Sequence, residues 1–274
     1  MKKFTEPEKL QRWCRARKAA GSTIALVPTM GYLHEGHISL IREAKKRGAD
    51  EIVVSVFVNP VQFGPNEDYA TYPRDEKADW EKCRKAGATA VFFPTPANMY
   101  LDRHSVYIVE EDLSRGLCGA RRPGHFRGVC TVVAKLFNLS HADFAVFGQK
   151  DYQQAQIIKR MVRDLNFDLK IVVAPIVREE SGLAKSSRNT YLGEEEKVSA
   201  LAISKSLESV KAGARASSVK RSIAAQLEKA GLKPDYVECV DGETLEDVKT
   251  LKKGCCVLIA AYCGKTRLID NRVI

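Results

Sequence analysis

Short apolar runs alternate with longer segments of helical period through the first third of this 274-residue chain. The runs TIALVP, EIVVSVFVNP and ATAVFFP are separated by ISLIREAKKRG and RDEKADWEKCRKAG. Strands that alternate with helices form parallel sheets, because two parallel neighbours need a crossover segment that packs on a face of the sheet. The pattern therefore predicts an α/β fold, a doubly wound parallel sheet with helices on both faces.

The alternation continues to about residue 177 and then changes. The helix-like RGVCTVVAKLFNLS, the strand candidate ADFAVFG, the amphipathic DYQQAQIIKRMVRDLN and the strand candidate DLKIVVAPIV complete the first series. Two helical segments then precede the strand candidates DYVECVD and CCVLIAAYC, with a hairpin predicted through Gly264 and Lys265. We therefore expect two domains, a nucleotide-binding domain over residues 1–177 and a smaller α+β domain over 178–274.

Composition narrows the class of ligand. The net charge of +10 suits a partner that carries negative charge, such as nucleic acid, an anionic membrane or a phosphorylated small molecule. The basic residues are spread along the chain, which favours the small molecule. No secretory h-region and no apolar run of roughly 20 residues is present, so we expect a soluble, cytoplasmic protein. The eight cysteines form no C-x-x-C pair and are expected to be reduced, packed thiols.

Ligands of doubly wound sheets bind beyond the carboxyl ends of the strands, and four loops there carry functional groups. In the first, MGYLHEGH, His34 and His37 are three residues apart, whereas a zincin-type site needs four on a formed helix. The spacing argues against zinc and favours a phosphate at a helix N-terminus, with the imidazoles as donors. The alternative is that the histidines only cap the helix.

The other three loops are also polar. Gln62, in the loop over 57–75, can both donate to and accept from a small hydroxy acid. In FGQKDYQQ, Lys150 can neutralise a phosphate and Asp151 can accept from a ribose hydroxyl. In LAKSSRNTYL, two serines and Arg188 form a compact phosphate grip. The alternatives are an ordinary surface loop, a capped helix and a solvated polar loop. The chain lacks G-x-G-x-x-G and P-loop motifs, so phosphates must be held in another way.

Several motifs together closely resemble one enzyme family. PTMGYLHEGH, FVNPVQFGPNEDY, YPRD, FGQKDYQQ and GLAKSSRN are similar to the motifs of the pantothenate synthetase (pantoate-β-alanine ligase) family, in the class I aminoacyl-tRNA synthetase-like nucleotidyltransferase superfamily. The resemblance runs from about residue 23 to 192. It implies a Rossmann-like doubly wound parallel sheet with a smaller C-terminal α+β domain. It also implies a cytoplasmic homodimer, formed through the first domain, that binds neither nucleic acid nor a membrane.

The resemblance further implies a reaction in two halves. The pantoate carboxylate attacks the α-phosphorus of MgATP and gives pantoyl adenylate and pyrophosphate. The amine of β-alanine then attacks the acyl carbon and releases AMP and pantothenate. We expect His34 and His37 to stabilise charge in the transition state, because pyrophosphate bound to Mg²⁺ has little need of a proton, although the family's proton donor corresponds to His37.

The resemblance also assigns the family's catalytic and binding roles to individual residues of this chain. The resemblance assigns a catalytic role to His34, His37, Lys150 and Arg188. It assigns ATP binding to Met30, Gly31, Tyr32, Leu33, His34, Glu35, Gly36, His37, Gly148, Gln149, Lys150, Asp151, Val177, Lys185, Ser186, Ser187 and Arg188, with the Val177 backbone on adenine. It assigns pantoate and β-alanine binding to Asn59, Gln62 and Gln154. Mg²⁺ binding is carried over to Asp79 alone, because the preceding position is Ala78 where some relatives have a second carboxylate.

Two further features bear on the function. Lys185 stands where many relatives carry Met or Leu, which predicts an added phosphate contact and altered packing beside adenine. RRPGHFRGV, over residues 121–129, resembles the family's mobile flap and is expected to shield the adenylate from water. The competing functions are a related adenylyltransferase that activates another small acid and an RNA-binding module. The RNA-binding module is disfavoured by the lack of an anticodon-type domain.

Overall fold

The computed structural model describes residues 1–65 and 67–274, and the chain divides into two compact units. Unit 1 comprises Met1–Gly148 and Gln154–Ala174, and unit 2 comprises Gln149–Gln153 and Pro175–Ile274. A short internal segment therefore groups with the C-terminal residues. The domain limits predicted from the sequence, which divide the chain once at residue 177, stay a prediction.

Unit 1 is built on a six-stranded sheet in which every strand pairing is parallel. Its strands are β1 (Lys2–Phe4), β2 (Ile24–Thr29), β3 (Glu51–Val56), β4 (Ala90–Phe92), β5 (Phe144–Gly148) and β6 (Lys170–Ala174), in the order β1-β4-β3-β2-β5-β6. The chain runs from β2 towards one edge and returns at β5 to run towards the other. The carboxyl ends of β2 and β5 therefore flank the topological switch point, where such sheets bind ligands.

The helices of unit 1 are α1 (Pro7–Ala19), α2 (Glu35–Lys46), α3 (Glu76–Ala86), α4 (Pro96–Met99), α5 (Leu117–Arg121) and α6 (His125–Ser140), followed by α7 (Tyr152–Asp164), whose first two residues group with unit 2. Strand β2 is buried from Ile24 to Val27, as a sheet covered on both faces requires. The mixed N-terminal stretch forms β1 and α1. Its sequence shows no clear helical period, because α1 buries only Leu10 and Cys14.

Unit 2 contains helices α8 (Glu194–Glu208) and α9 (Ala216–Lys229) and the antiparallel strands β7 (Lys233–Asp241), β8 (Cys255–Cys263) and β9 (Thr266–Val273). Cys263 pairs with Thr266, which leaves Gly264 and Lys265 as the two-residue turn predicted from the sequence, with Gly264 at φ +56°. The α/β fold class, with a smaller α+β part, is thus confirmed. In the described residues no helix has the length and apolar character needed to cross a membrane.

Candidate active site

The loop after β2 is a tight left-handed turn. Gly31 has φ +88° and Tyr32 has φ +51°. A Cβ atom at Gly31 would lie 2.9 Å from Val56 Cγ1 and 3.0 Å from Asp79 Oδ2, so only glycine fits there. The turn leads directly to His34, the residue before the first residue of α2. The histidine positions therefore depend on left-handed backbone conformations at two consecutive residues.

Asp79 of α3 anchors this turn. Its Oδ2 accepts from the Tyr32 N–H at 2.8 Å and its Oδ1 from the Leu33 N–H at 2.7 Å, and the residue is 1% exposed. Lys82, one helical turn later, donates to the Leu33 carbonyl at 2.6 Å. Burial raises the pKa of Asp79, while the two backbone donors and Lys82 oppose the rise.

These contacts bear on the expected metal ligand. Both oxygens of Asp79 are already occupied by backbone donors, and the described residues contain no group of three or more His, Cys, Asp or Glu side chains placed to hold a metal ion. The contacts fit a loop anchor, and a magnesium ligand would have to use the remaining lone pairs of the same two oxygens. The assignment of Mg²⁺ to Asp79 stays an untested prediction.

His34 and His37 cap α2 through their Nδ1 atoms. His34 Nδ1 accepts from the Gly36 N–H at 3.1 Å, and His37 Nδ1 accepts from the His34 N–H at 3.3 Å. A nitrogen that accepts carries no proton, so each neutral ring has its proton on Nε2. The ring centroids lie 4.1 Å apart. Capping and anion binding are therefore compatible here, because capping fixes the tautomer in which Nε2–H is the donor.

Asn59 and Gln62 form a buried amide pair after β3. They are 1% and 7% exposed, and Asn59 Nδ2 donates to Gln62 Oε1 at 3.1 Å. Tyr100 fixes the pair by donating its hydroxyl to Asn59 Oδ1 at 2.7 Å. Gln62 Nε2 lies 3.0 Å from Met30 Sδ. A thioether is a weak acceptor, so a substrate oxygen that replaces it gains a stronger hydrogen bond.

Residues of the expected flap are part of the structure around Gln62. His125 Nδ1 lies 2.9 Å from the Gln62 carbonyl and its Nε2 lies 3.0 Å from Arg122, so the ring donates from Nδ1 and accepts at Nε2. Arg122 also forms two hydrogen bonds with Glu67, at 2.8 and 2.5 Å. At Gly128 the backbone of α6 approaches so closely that a Cβ would lie 2.6 Å from Gln62 Cα. Within the segment expected to form the flap, residues 125–129 are the first residues of α6.

In unit 2, residues Gln149–Asp151 form one 3-10 turn that leads into α7. Lys150 Nζ lies 3.2 Å from Asp151 Oδ2, and the Lys150 side chain is 20% exposed. Gln149 is held through its side chain, which donates to Asn271 Oδ1 at 3.1 Å. The Lys150 side chain is therefore partly buried, and the Gln149 side chain ties the turn to Asn271. Gly148 ends β5 immediately before the turn.

A small hairpin presents the serine-rich segment of unit 2. The Lys185 N–H donates to the Val177 carbonyl at 2.9 Å, and Arg178 bridges to Ala184 in antiparallel fashion. Ser186 then caps the 3-10 turn that begins at Ser187, its hydroxyl accepting from the Arg188 N–H at 3.3 Å. The Val177 backbone expected beside adenine therefore faces Lys185. The position of Lys185 is set by the hairpin.

Gln154, the second glutamine expected on pantoate, is partly buried in the first turn of α7 and belongs to unit 1. Within unit 1 the structure places Met30, Asn59 and Gln62 in direct contact. Glu35 and Gly36 are the first two residues of α2, and Glu35 pairs with Arg42. The residues predicted to bind ATP in the segments FGQKDYQQ and LAKSSRNTYL belong to unit 2, apart from Gly148.

Comparison with known proteins decides the family. Residues 2–273 match the family model of pantoate-beta-alanine ligase. The chain belongs to this family. It is 53% identical over 277 residues to the pantothenate synthetase of Clostridium novyi, and this alignment covers 99% of this chain and 98% of that relative. It is 54% identical over 260 residues to that of Enterococcus faecalis, covering 93% and 92%.

Solved structures of the pantoate-beta-alanine ligase family agree in fold. Pantothenate synthetase from Thermus thermophilus has a TM-score of 0.91 at 39% identity, covering 100% of this chain and 99% of that one. Pantoate-beta-alanine ligase from Francisella tularensis, complexed with beta-gamma ATP and beta-alanine, has a TM-score of 0.83 at 33% identity, covering 100% and 97%. The family resemblance and the ligase class predicted from the sequence are confirmed.

Four residues around the predicted groups were not singled out by the sequence patterns. Lys82 and Tyr100 each contribute one long-range hydrogen bond, and His125 joins Arg122 to the Gln62 backbone. Asn271 contacts a turn more than a hundred positions earlier in the chain. His125 lies in the flap segment over 121–129, whereas the other three residues belong to no motif that the sequence analysis identified.

Proposed function

We propose that this ligase condenses pantoate with β-alanine at the expense of ATP, through a pantoyl adenylate. The observation that carries the proposal is the contact between Gln62 Nε2 and Met30 Sδ at 3.0 Å. It joins the amide proposed for pantoate to the loop proposed for the ATP phosphates. Adenylation requires this proximity, because the carboxylate oxygen must reach the α-phosphorus in line with the leaving group. The Francisella tularensis relative, which is complexed with beta-gamma ATP and beta-alanine, supports both substrates.

In the first half-reaction, a pantoate carboxylate oxygen forms a bond to the α-phosphorus, and the bond to the bridging oxygen breaks. Pyrophosphate leaves with the electron pair. His34 and His37 donate from Nε2 to phosphate oxygens on which charge accumulates, since their Nδ1 atoms are committed to backbone N–H groups. A donor that is fixed before the reaction needs no reorganisation during it.

In the second half-reaction, the amine of β-alanine attacks the acyl carbon and forms the amide bond, AMP leaves with the electron pair of the acyl C–O bond, and the amine releases a proton to water. Gln62 holds pantoate in both halves, with Asn59 behind it and Gln154 as the second amide. Asn59 fixes Gln62 Oε1 as an acceptor, so Gln62 Nε2 is the group offered to the acid.

The residues of unit 2 supply positive charge and hydroxyl groups. Lys150 and Arg188 neutralise phosphate, Ser186 and Ser187 fill remaining phosphate acceptors, and Asp151 accepts from the ribose. Gly148 and Gln149 contribute backbone beside the nucleotide, and Val177 contacts adenine. Mg²⁺ enters with ATP as part of the substrate. Lys185 adds a contact to phosphate.

Product analysis tests the function. Wild-type protein with MgATP and pantoate should form AMP and pantothenate together only when β-alanine is present, as measured by mass spectrometry. His37→Ala should lose at least about 100-fold in rate, as removal of a transition-state donor does elsewhere. His141→Asn, a histidine at the end of α6 at φ +47°, is the control and should keep the wild-type rate. Intact ATP with pantoate, but cleavage with another acid, would instead support the related adenylyltransferase.

We also propose a homodimer formed through unit 1. The irregular segment over 101–109 presents four large apolar side chains to solvent, with Leu101 70%, Val106 76%, Tyr107 37% and Val109 58% exposed. Such exposure is typical of a surface that a partner covers. Light scattering should give twice the chain mass for wild type, and Val106→Asp should shift it towards the monomer. A monomeric wild type at micromolar concentration would contradict this proposal. A cytoplasmic location and the lack of a nucleic-acid partner stay predictions.

A further inference from the structure

Asn271 in strand β9 makes three hydrogen bonds to the turn that precedes α7. Its Nδ2 donates to the Gln149 carbonyl at 2.9 Å and to the Lys150 carbonyl at 3.0 Å. Its Oδ1 accepts from Gln149 Nε2 at 3.1 Å. The residue is 2% exposed, so each of these bonds replaces contact with water. One amide side chain therefore uses both of its N–H protons and its oxygen on two consecutive residues of the turn.

The chemistry of these contacts requires asparagine. Both partners of Nδ2 are carbonyl oxygens, which only accept, so the amide must face them with its NH₂ group. An aspartate of the same shape would place an acceptor against two acceptors. A buried carbonyl without a donor is unfavourable, so the turn would rearrange.

The backbone that carries Asn271 is itself fixed. Asp270 is 3% exposed, accepts from the Asn271 N–H at 2.8 Å and pairs with both terminal nitrogens of Arg178 at 2.6 and 3.1 Å. Arg178 also donates to the Gly182 carbonyl at 3.1 Å, inside the hairpin that ends at Lys185. A bidentate guanidinium pair holds its partners in one geometry. The strand thus offers a rigid support for the turn.

We propose that Asn271 is a positioning residue for ATP, because it fixes the backbone from which Lys150 projects. The inference rests on the proposed function, in which Lys150 neutralises phosphate. A 3-10 turn of three residues has little intrinsic stability, so its geometry is set by outside contacts. Lys150 has four rotatable side-chain bonds. If its backbone were also free to change conformation, the ammonium group would sample a larger volume. Support of this kind places a binding group to within about half an ångström.

The test is a double-mutant cycle between Asn271→Asp and Lys150→Ala. The probe is α,β-methylene ATP, which cannot be cleaved at the reacting bond, and its Kd is measured by calorimetry on the full chain. Asn271→Asp should raise Kd about tenfold or more, as the loss of two buried hydrogen bonds predicts. In the Lys150→Ala background the same change should raise Kd less than about twofold, because the group it positions is gone. In steady state the variant should raise KM for ATP and leave KM for β-alanine unchanged.

Two further variants separate positioning from folding. Asp235→Asn weakens the Asp235–Arg267 pair, which joins β7 to the same strand β9 at 2.9 Å. It should lower the melting temperature and keep the wild-type Kd. Asn271→Ser retains one hydroxyl donor and should give a smaller rise in Kd. If Asn271→Asp does not fold, Asn271→Ser takes its place in the cycle.

The outcomes distinguish this inference from the proposed function. A wild-type protein that binds the probe but makes no pantothenate contradicts the proposed function. The role of Asn271 is then still tested by the Kd of the probe for the variants. An unchanged Kd in Asn271→Asp overturns the inference. So does an equal rise in the presence and absence of Lys150, because it would show a purely structural effect. A wild type that does not bind the probe overturns the inference and the proposed ATP site together.

Discussion

Replacing Asp79 with Asn tests whether this carboxylate anchors the histidine loop. The carboxylate accepts from two consecutive backbone N–H groups, and asparagine can accept only through its single oxygen. The amide NH₂ then opposes the second N–H, and a donor is left unsatisfied in a site that is 1% exposed. The loss of a hydrogen bond to a charged group costs about 1.5–3 kcal/mol.

The net effect is smaller than the sum of the losses. Burial raises the pKa of Asp79, so removing the charge recovers part of the desolvation cost. Tyr32 lies at φ +51°, and a non-glycine residue in that region costs about 1–2 kcal/mol, so a loosened anchor lets the turn relax. We expect Asp79→Asn to destabilise unit 1 by about 1–2 kcal/mol, which is about 2–8 °C in melting temperature.

Calorimetry and a Mg²⁺ titration of activity measure the two roles separately. Asp79→Asn should lower both the melting temperature and the rate of adenylate formation, with no change in the Mg²⁺ concentration for half-maximal activity. Asp75→Asn is the matched control, since Asp75 caps the same helix by accepting from Ala78 N–H and asparagine caps as well as aspartate. A variant with the wild-type melting temperature but a raised Mg²⁺ requirement would refute the anchoring argument and assign Asp79 to the metal.

Three other predictions concern a close backbone approach, an ion pair and the exposure of the cysteines. Gly128→Ala should destabilise the protein by about 1–3 kcal/mol and raise KM for pantoate, although alanine favours helices, because its Cβ would lie 2.6 Å from Gln62 Cα; an unchanged KM and stability in the assay would contradict the packing argument. Although burial opposes it, the hydrogen bonds and charge of Arg122 lower the pKa of Glu67 below 4.5. The stability that this pair supplies is therefore complete above pH 4.5 and is lost as pH falls through the lowered pKa, so the melting-temperature difference between wild type and Glu67→Gln should vanish in acid and persist at neutral pH. Native protein at pH 8 should alkylate first at Cys118, since the other seven of the eight cysteines are buried; mass spectrometry that finds several thiols labelled equally fast would contradict this.

The fold class could be predicted from the sequence because strand and helix periods are local. The apolar runs that form β2 and β3 are buried on both faces, and the intervening helix has its apolar residues on one side. Strand β1 and helix α1 could not be found this way. β1 has three residues and exposes two of them, so its pairing with β4 depends on a contact about ninety positions away.

The motif residues could be named from the sequence because their types and spacings are specific to the family. Their supports could not. Asp79 was expected at a metal, and its additional contacts to the backbone of a turn could not be foreseen. His125 was included only as part of a flap, yet it lies 7% exposed against the Gln62 carbonyl. Nothing in a one-dimensional pattern states which donor a buried oxygen will meet.

The sequence by itself determined the family, the alternation of strands and helices, and the residues proposed to carry the chemistry. These depend on motif, period and spacing, which are properties of neighbours along the chain. Only the tertiary structure decided that both histidines accept at Nδ1, that Gln62 meets Met30, and that Asn271 ties down the turn of Lys150. Each of these depends on the direction of a hydrogen bond in three dimensions, and such directions are set by packing between distant segments.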